Sequence, residues 1–123
     1  MLIVKLDEEH LIVSIEPTGS LDVKDFQAAA STIDPFIEKY GQLNGLIIYT
    51  ESFPGWDSFS ALVTHLKFVK NHHTQIKRIA FVTDSLIGSL AESLASHFVE
   101  AKIKRFPYAE FDQAKQWVIS QIL

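Results

Sequence analysis

The sequence predicts an α/β fold: one domain with a mixed, mostly parallel five-stranded sheet and four helices, in the order ββαβαβαβα. Three observations carry this. The first 16 residues alternate with period two. Two short runs rich in branched residues, Leu46-Ile47-Ile48-Tyr49 and Ile79-Ala80-Phe81-Val82, read as strands buried on both faces. Between and after them, apolar residues recur at helical spacing.

Taken in order, Leu2, Val4 and Leu6 alternate with Ile3 and Lys5. Leu11, Val13 and Ile15 alternate with Ile12, Ser14 and Glu16. The polar stretch Asp7-Glu8-Glu9-His10 between them is a turn, so the pair reads as a β-hairpin. Pro17-Thr18-Gly19-Ser20 ends the second strand. A helix is expected from Leu21-Asp22, with Phe26, Ala30, Ile33, Ile37 and Tyr40 on its apolar stripe. Pro35 inside it predicts a kink or a break, and Gly41 a C-cap.

After the third strand, Thr50 to Trp56 reads as a loop and Asp57 as the start of a second helix. Phe59, Leu62, Val63, Leu66 and Val69 form its stripe, and Asn71-His72-His73 its end. Ile87, Leu90, Ala91, Leu94 and Phe98 mark a third helix. Lys102-Ile103-Lys104-Arg105-Phe106 is expected as an edge strand, its cations resisting pairing with another molecule. Pro107 stops it, and Phe111, Ala114, Val118 and Ile122 give the last helix. Strands that follow helices are parallel, joined by right-handed crossovers. Periodicity leaves the strand order open.

No Gly/Ser/Pro-rich linker divides the 123 residues, so residues 1–123 are expected to form a single domain. A 47% hydrophobic content opposes disorder. With no Cys, disulfides, thiolate metal sites and Cys nucleophiles are excluded. The 11 basic residues are outnumbered by 15 acidic ones, which argues against nucleic acid as a partner. No targeting segment and no apolar run of membrane-spanning length is visible, so a cytoplasmic location is expected.

The length, the element order and Asp57-Ser58 after the third strand resemble the STAS superfamily. Its SpoIIAA-like branch is the closest likeness. It rests on Phe53-Pro54-Gly55-Trp56-Asp57, on the helix running to Leu66-Lys67-Phe68, and on Lys104-Arg105-Phe106 before a helix with Ala114 and Trp117. The resemblance implies a domain with no enzyme activity. In anti-anti-sigma STAS proteins the first Ser of Asp-Ser-Ser/Thr-Gly is phosphorylated, and a kinase-type anti-sigma factor binds that face. Here the string is Asp57-Ser58-Phe59-Ser60, which matches at its first two positions only. The branch also resembles lipid-carrying CRAL-TRIO domains in fold, which implies an apolar ligand groove.

Local chemistry leaves two readings of each feature. Asp57 is a suitable N-cap, and Ser58 beside it is either an ordinary first-turn residue or a phosphoacceptor favoured by the helix dipole. Asp84-Ser85 repeats the pair after the fourth strand. Phe53, Trp56 and Phe59 cluster at a strand-to-helix loop, where α/β sheets usually bind ligands. They either close the core or, with Leu62, line a groove for an apolar molecule or anchor a partner. His65, His72, His73 and His97 lack the spacing of a metal site, and no metal or other cofactor is expected. No hydrolase, P-loop or dinucleotide motif occurs. Lys77-Arg78 and Lys102, Lys104 and Arg105 form either a solvated edge or a patch for anionic headgroups.

The expected function is therefore a non-catalytic binding module for an apolar or amphipathic small molecule, plausibly a lipid. The groove would lie beside the loop after the third strand. The alternative is a phosphoregulated protein–protein switch. A regulatory protein partner, peripheral membrane contact and a homodimer through an exposed aromatic loop are the accompanying partner expectations.

Overall fold

The computed structural model describes residues 2–18, 23–51, 76–84 and 102–120. Strands β1 (Leu2–Asp7) and β2 (Ile12–Pro17) form the expected hairpin. The turn is shifted by one residue: Asp7 pairs with Ile12, and Leu11 sits in the turn at φ 56 rather than opening the strand. Its carbonyl accepts the Asn44 N–H at 2.8 Å, and the Asn44 side chain donates to the His10 carbonyl at 2.8 Å. The turn is thus held by the neighbouring strand, which offsets the strained backbone.

Helix α1 (Val23–Tyr40) runs unbroken through Pro35. Gly41 closes it at φ 77, its N–H donating to the Ile37 carbonyl at 2.7 Å. This is the left-handed cap that glycine adopts at least cost. Strands β3 (Leu43–Tyr49), β4 (Ile76–Val82) and β5 (Lys102–Phe106) follow, with β3 and β4 each starting three residues before their apolar runs. A 3-10 turn (Tyr108–Glu110) leads into α2 (Phe111–Ser120). The helices expected from Asp57 and between Ile87 and Phe98 lie outside the described residues.

The sheet order is β1-β2-β3-β4-β5, antiparallel across the hairpin and parallel from β2 onward. Among the described residues the edges are β1 at one side and the lysine-rich β5 at the other. Each face carries its own core. Val13, Ile15, Leu46, Ile48, Ile79 and Phe81 pack with Ala29, Ile33, Phe36 and Ile37 of α1. Ile12, Ile47, Ala80, Val82 and Phe106 pack with Ala114 and Val118 of α2. The central strands are apolar on both faces because both faces are covered.

The pairing register turns the second face into rows that cross the sheet. Asp7, Ile12, Gly45, Arg78 and Lys102 form one row. Lys5, Ser14, Ile47, Ala80 and Lys104 form the next. Helix α2 lies along this face. Its start meets Tyr49, where the Phe111 and Tyr49 ring centroids are 4.9 Å apart. Its end lies over Gly45 and Arg78, four residues back along the strands. The helix covers the centre of this face and leaves the β1–β2 side beside it.

Candidate functional site

A groove opens there. Ile3 and Lys5 of β1, Ser14 and Glu16 of β2, Tyr49 of β3 and Phe111 of α2 enclose about 190 Å³. All the strand residues come from the same face, as period-two alternation requires. Ile3 is opposite Glu16, and Lys5 is opposite Ser14. The groove thus has an apolar wall of Ile3, Tyr49 and Phe111, with an ammonium, a hydroxyl and a carboxylate on its floor and rim.

The aromatic wall is built from two chain segments. Tyr108, in the turn before α2, stacks on Tyr49 with centroids 4.6 Å apart and planes 6° from parallel. Phe111 meets the same Tyr49 ring edge-on. Offset stacking and edge-to-face contact are both favoured by the ring quadrupole. The Tyr108 backbone is tied down as well: its N–H donates to Asp84 Oδ1 at 3.1 Å. Asp84 in turn donates its N–H to the Glu51 carbonyl at 3.2 Å, and Arg105 Nη1 donates to the Thr83 carbonyl at 2.9 Å. Polar groups at the carboxyl ends of β3, β4 and β5 therefore hold the Tyr49–Tyr108 stack in place.

The Tyr108 hydroxyl is pushed up to about 12, first by its hydrogen bond to Tyr49 and then by desolvation and the negative charges of Glu16 and Glu51. A raised tyrosine pKa favours the neutral phenol in the folded protein. Its contribution is present below the unfolded value of about 10 and is lost as the pH rises through about 12. Tyr49→Phe removes the hydrogen-bond partner. In an ultraviolet titration it is expected to return the Tyr108 ionisation toward 10. An unchanged titration would show that the two hydroxyls are not coupled.

At the far end of the face, Asp7 locks the hairpin turn. Its Oδ1 accepts the His10 N–H at 3.1 Å, and Oδ2 lies 2.9 Å from His10 Nδ1 and 3.5 Å from Lys115 Nζ. Burial alone would raise this carboxyl; the hydrogen bonds and charge of His10, with Lys115, outweigh it and hold it below its ordinary value. Asp7, Glu9 and His10 place their donor atoms within 4.8 Å of one another. The ion pair from α2 already supplies a cation to this cluster, which ties the helix to the hairpin.

The residues expected to form the ligand site (Phe53, Trp56, Phe59 and Leu62) and the Asp57-Ser58 pair lie outside the described residues. Within them, the groove includes the last residue of β3, adjoining the loop where binding was expected. Its own residues escaped the sequence reading. The signal was present as the alternate set Ile3, Lys5, Ser14 and Glu16, one apolar residue beside three charged or polar ones, on one side of the hairpin. The pairing of β2 with β3, and the return of the last helix over this face, bring that set to Tyr49 and Phe111.

The model of the SpoIIAA-like family matches residues 12–119. The chain belongs to the SpoIIAA-like family. The match runs from β2 through almost all of α2, so it includes Ser14, Glu16, Tyr49 and Phe111, with Ile3 and Lys5 outside it. SpoIIAA-like domains are generally non-catalytic regulatory modules. No curated protein shows significant similarity to the chain. No helix among the described residues is long and apolar enough to cross a membrane.

Proposed function

We propose that this SpoIIAA-like domain is a non-catalytic module that binds a small amphipathic molecule in the groove beside α2. The observation that supports this is the composition of the groove: an aromatic wall held by Tyr108, with Lys5, Ser14 and Glu16 facing it. A ligand of this class sets its apolar part against Tyr49 and Phe111. Its polar group is then within reach of the lysine, the hydroxyl or the carboxylate. The volume of about 190 Å³ narrows the class. Drug-sized ligands occupy roughly 300–1,000 Å³, whereas a cavity of about 150 Å³ holds benzene. One ring or a short alkyl chain fits; a lipid would seat only a segment of its chain.

The test is a backbone NMR titration of the uniformly labelled protein with hexanoate, hexylamine and benzyl alcohol. These share the apolar size and differ in headgroup charge. At least one is expected to shift the amides of Ile3, Ser14, Tyr49 and Phe111, with a dissociation constant in the high-micromolar to millimolar range for so few heavy atoms. Tyr49→Ala is expected to weaken that binding about tenfold or more by removing half of the aromatic wall. Shifts scattered over the surface, or none at millimolar probe, would remove the groove as a binding site. Phosphate on Ser58 in protein isolated from its own cells, together with a silent groove, would favour the phosphoregulated switch.

A further inference from the structure

We infer that β1 is a self-pairing edge: two copies of the chain associate antiparallel along Leu2–Asp7, and each places its Lys5 beside the other's Glu16. The two edges of the sheet are treated very differently. β5 carries Lys102, Lys104 and Arg105 in five residues, the device by which edge strands resist association. β1, with six residues, has one cation at Lys5, no proline and regular pairing to β2 throughout its length. Among the described residues it pairs on one side only. Its Leu6 is the large hydrophobic residue left most exposed among them, at 38%.

Symmetry restricts how two such strands can meet. A two-fold axis normal to the sheet must lie between the two strands, level with one residue of β1, so that side chains opposite each other share a face. An axis at Lys5 sets like charges opposite each other and is disfavoured. An axis at Val4 sets Val4 against Val4 and Leu2 against Leu6 on the face of α1. It covers the exposed leucine with a leucine. On the other face the same register sets Ile3 of one copy against Lys5 of the other.

Charge placement also suits this register. Ile3 is paired with Glu16 on its inner side. The partner lysine is therefore two strand spacings, about 9.6 Å, from Glu16 along one row. Extended lysine and glutamate side chains together span that distance over Ile3. The partner strand also closes the open side of the groove, with Lys5 of the second copy at its rim. Self-pairing depends on the edge strand and its charges and requires no ligand in the groove.

Six residues of strand make a small interface, so association is expected in the micromolar range. The test is sedimentation equilibrium of the full chain without ligand, between about 10 and 500 µM. Wild type is expected to pass from monomer to dimer over that range. Leu6→Lys should leave it monomeric by setting a charge against Leu2. Lys5→Glu should weaken the dimer about tenfold, because two symmetry-related pairs are lost together. Combining it with Glu16→Lys should restore the affinity, an outcome that general destabilisation could not produce. Circular dichroism checks that each variant is folded, and Lys5→Glu, at an exposed site, carries the test if Leu6→Lys is not. A monomeric wild type overturns the inference. So does a folded Leu6→Lys or Lys5→Glu variant that dimerises like wild type, or a double variant no tighter than Lys5→Glu. None of these outcomes bears on the NMR titration of the groove, where failure would appear as unshifted Tyr49 and Phe111 amides.

Discussion

Gly45→Ala is expected to lower the unfolding free energy by about 3 kcal/mol, through overpacking between a strand and a helix. A methyl group at this position would collide with Val118 Cγ1 and lie 2.9 Å from Cγ2 and 3.1 Å from Cβ. Non-bonded carbons rest at about 3.5–4.0 Å, so α2 must move by more than about 1 Å or Val118 must leave its rotamer. Neither is cheap. Val118 is fully buried among Ile12, Ile47 and Ala80, and a shift of the helix opens gaps over those residues. The smaller entropy of the unfolded alanine chain offsets only about 0.4–1 kcal/mol. Urea denaturation would measure the loss. Val118→Ala removes both methyl groups that collide, so the double variant should be more stable than the sum of the two single losses by about 1–3 kcal/mol. Additive losses would mean that the helix does not sit against Gly45 as described.

Arg78→Ala is expected to cost about 2 kcal/mol and to loosen the end of α2. The guanidinium lies 4.8 Å from the Trp117 ring centroid, donates to the Trp117 carbonyl, and reaches Ser120 Oγ at 3.0 Å. It thus supplies a cation and a donor to the last turn of a helix, where the backbone carbonyls lack partners and the dipole is negative. A charged hydrogen bond contributes about 1.5–3 kcal/mol and the ring contact about 0.5–1, less what water recovers at a half-exposed site. Arg78→Lys keeps the charge but loses the planar fork, so it should restore less than half. Amide exchange in residues 117–120 reads the effect directly. Protection unchanged in Arg78→Ala would show that Ser120, which also donates to the Trp117 carbonyl at 2.7 Å, caps the helix unaided.

Much of the architecture was legible from periodicity. Each of the five expected strands is present, and α1 and α2 fall where Ile33, Ile37, Ala114 and Val118 put them. The misplaced boundaries have local causes. Leu11 looks like a strand residue because it is apolar, but the turn needs a fourth residue and takes it. Asn44 and Gly45 look like loop residues. Both lie in β3, because Asn44 ties the strand to the hairpin turn and Gly45 admits α2. Pro35 was expected to kink or break α1; the helix is not broken there, because its buried face, Ile33, Phe36 and Ile37, holds both halves on the sheet.

The candidate site was much less legible. Aromatic residues next to a proline and a glycine draw attention in a sequence, and Phe53, Trp56 and Phe59 did so. Tyr49 and Phe111 carry no such flag, because 62 residues separate them and each fits an ordinary strand or helix pattern. Ile3, Lys5, Ser14 and Glu16 read as one side of a hairpin, with nothing to say what stands beside it.

By itself, then, the sequence determined the elements and which residues share a face. Those properties depend on repeats of two and 3.6 residues, which are local. The tertiary structure decided three things: the sequential strand order, the place of β1 at the edge of the described sheet opposite β5, and the meeting of the hairpin with Tyr49 and Phe111. Each depends on register between strands and on where the last helix returns. Such contacts between residues distant in the chain are selected by packing as a whole, as Gly45 beneath Val118 shows, and leave no periodic trace in the order of the amino acids.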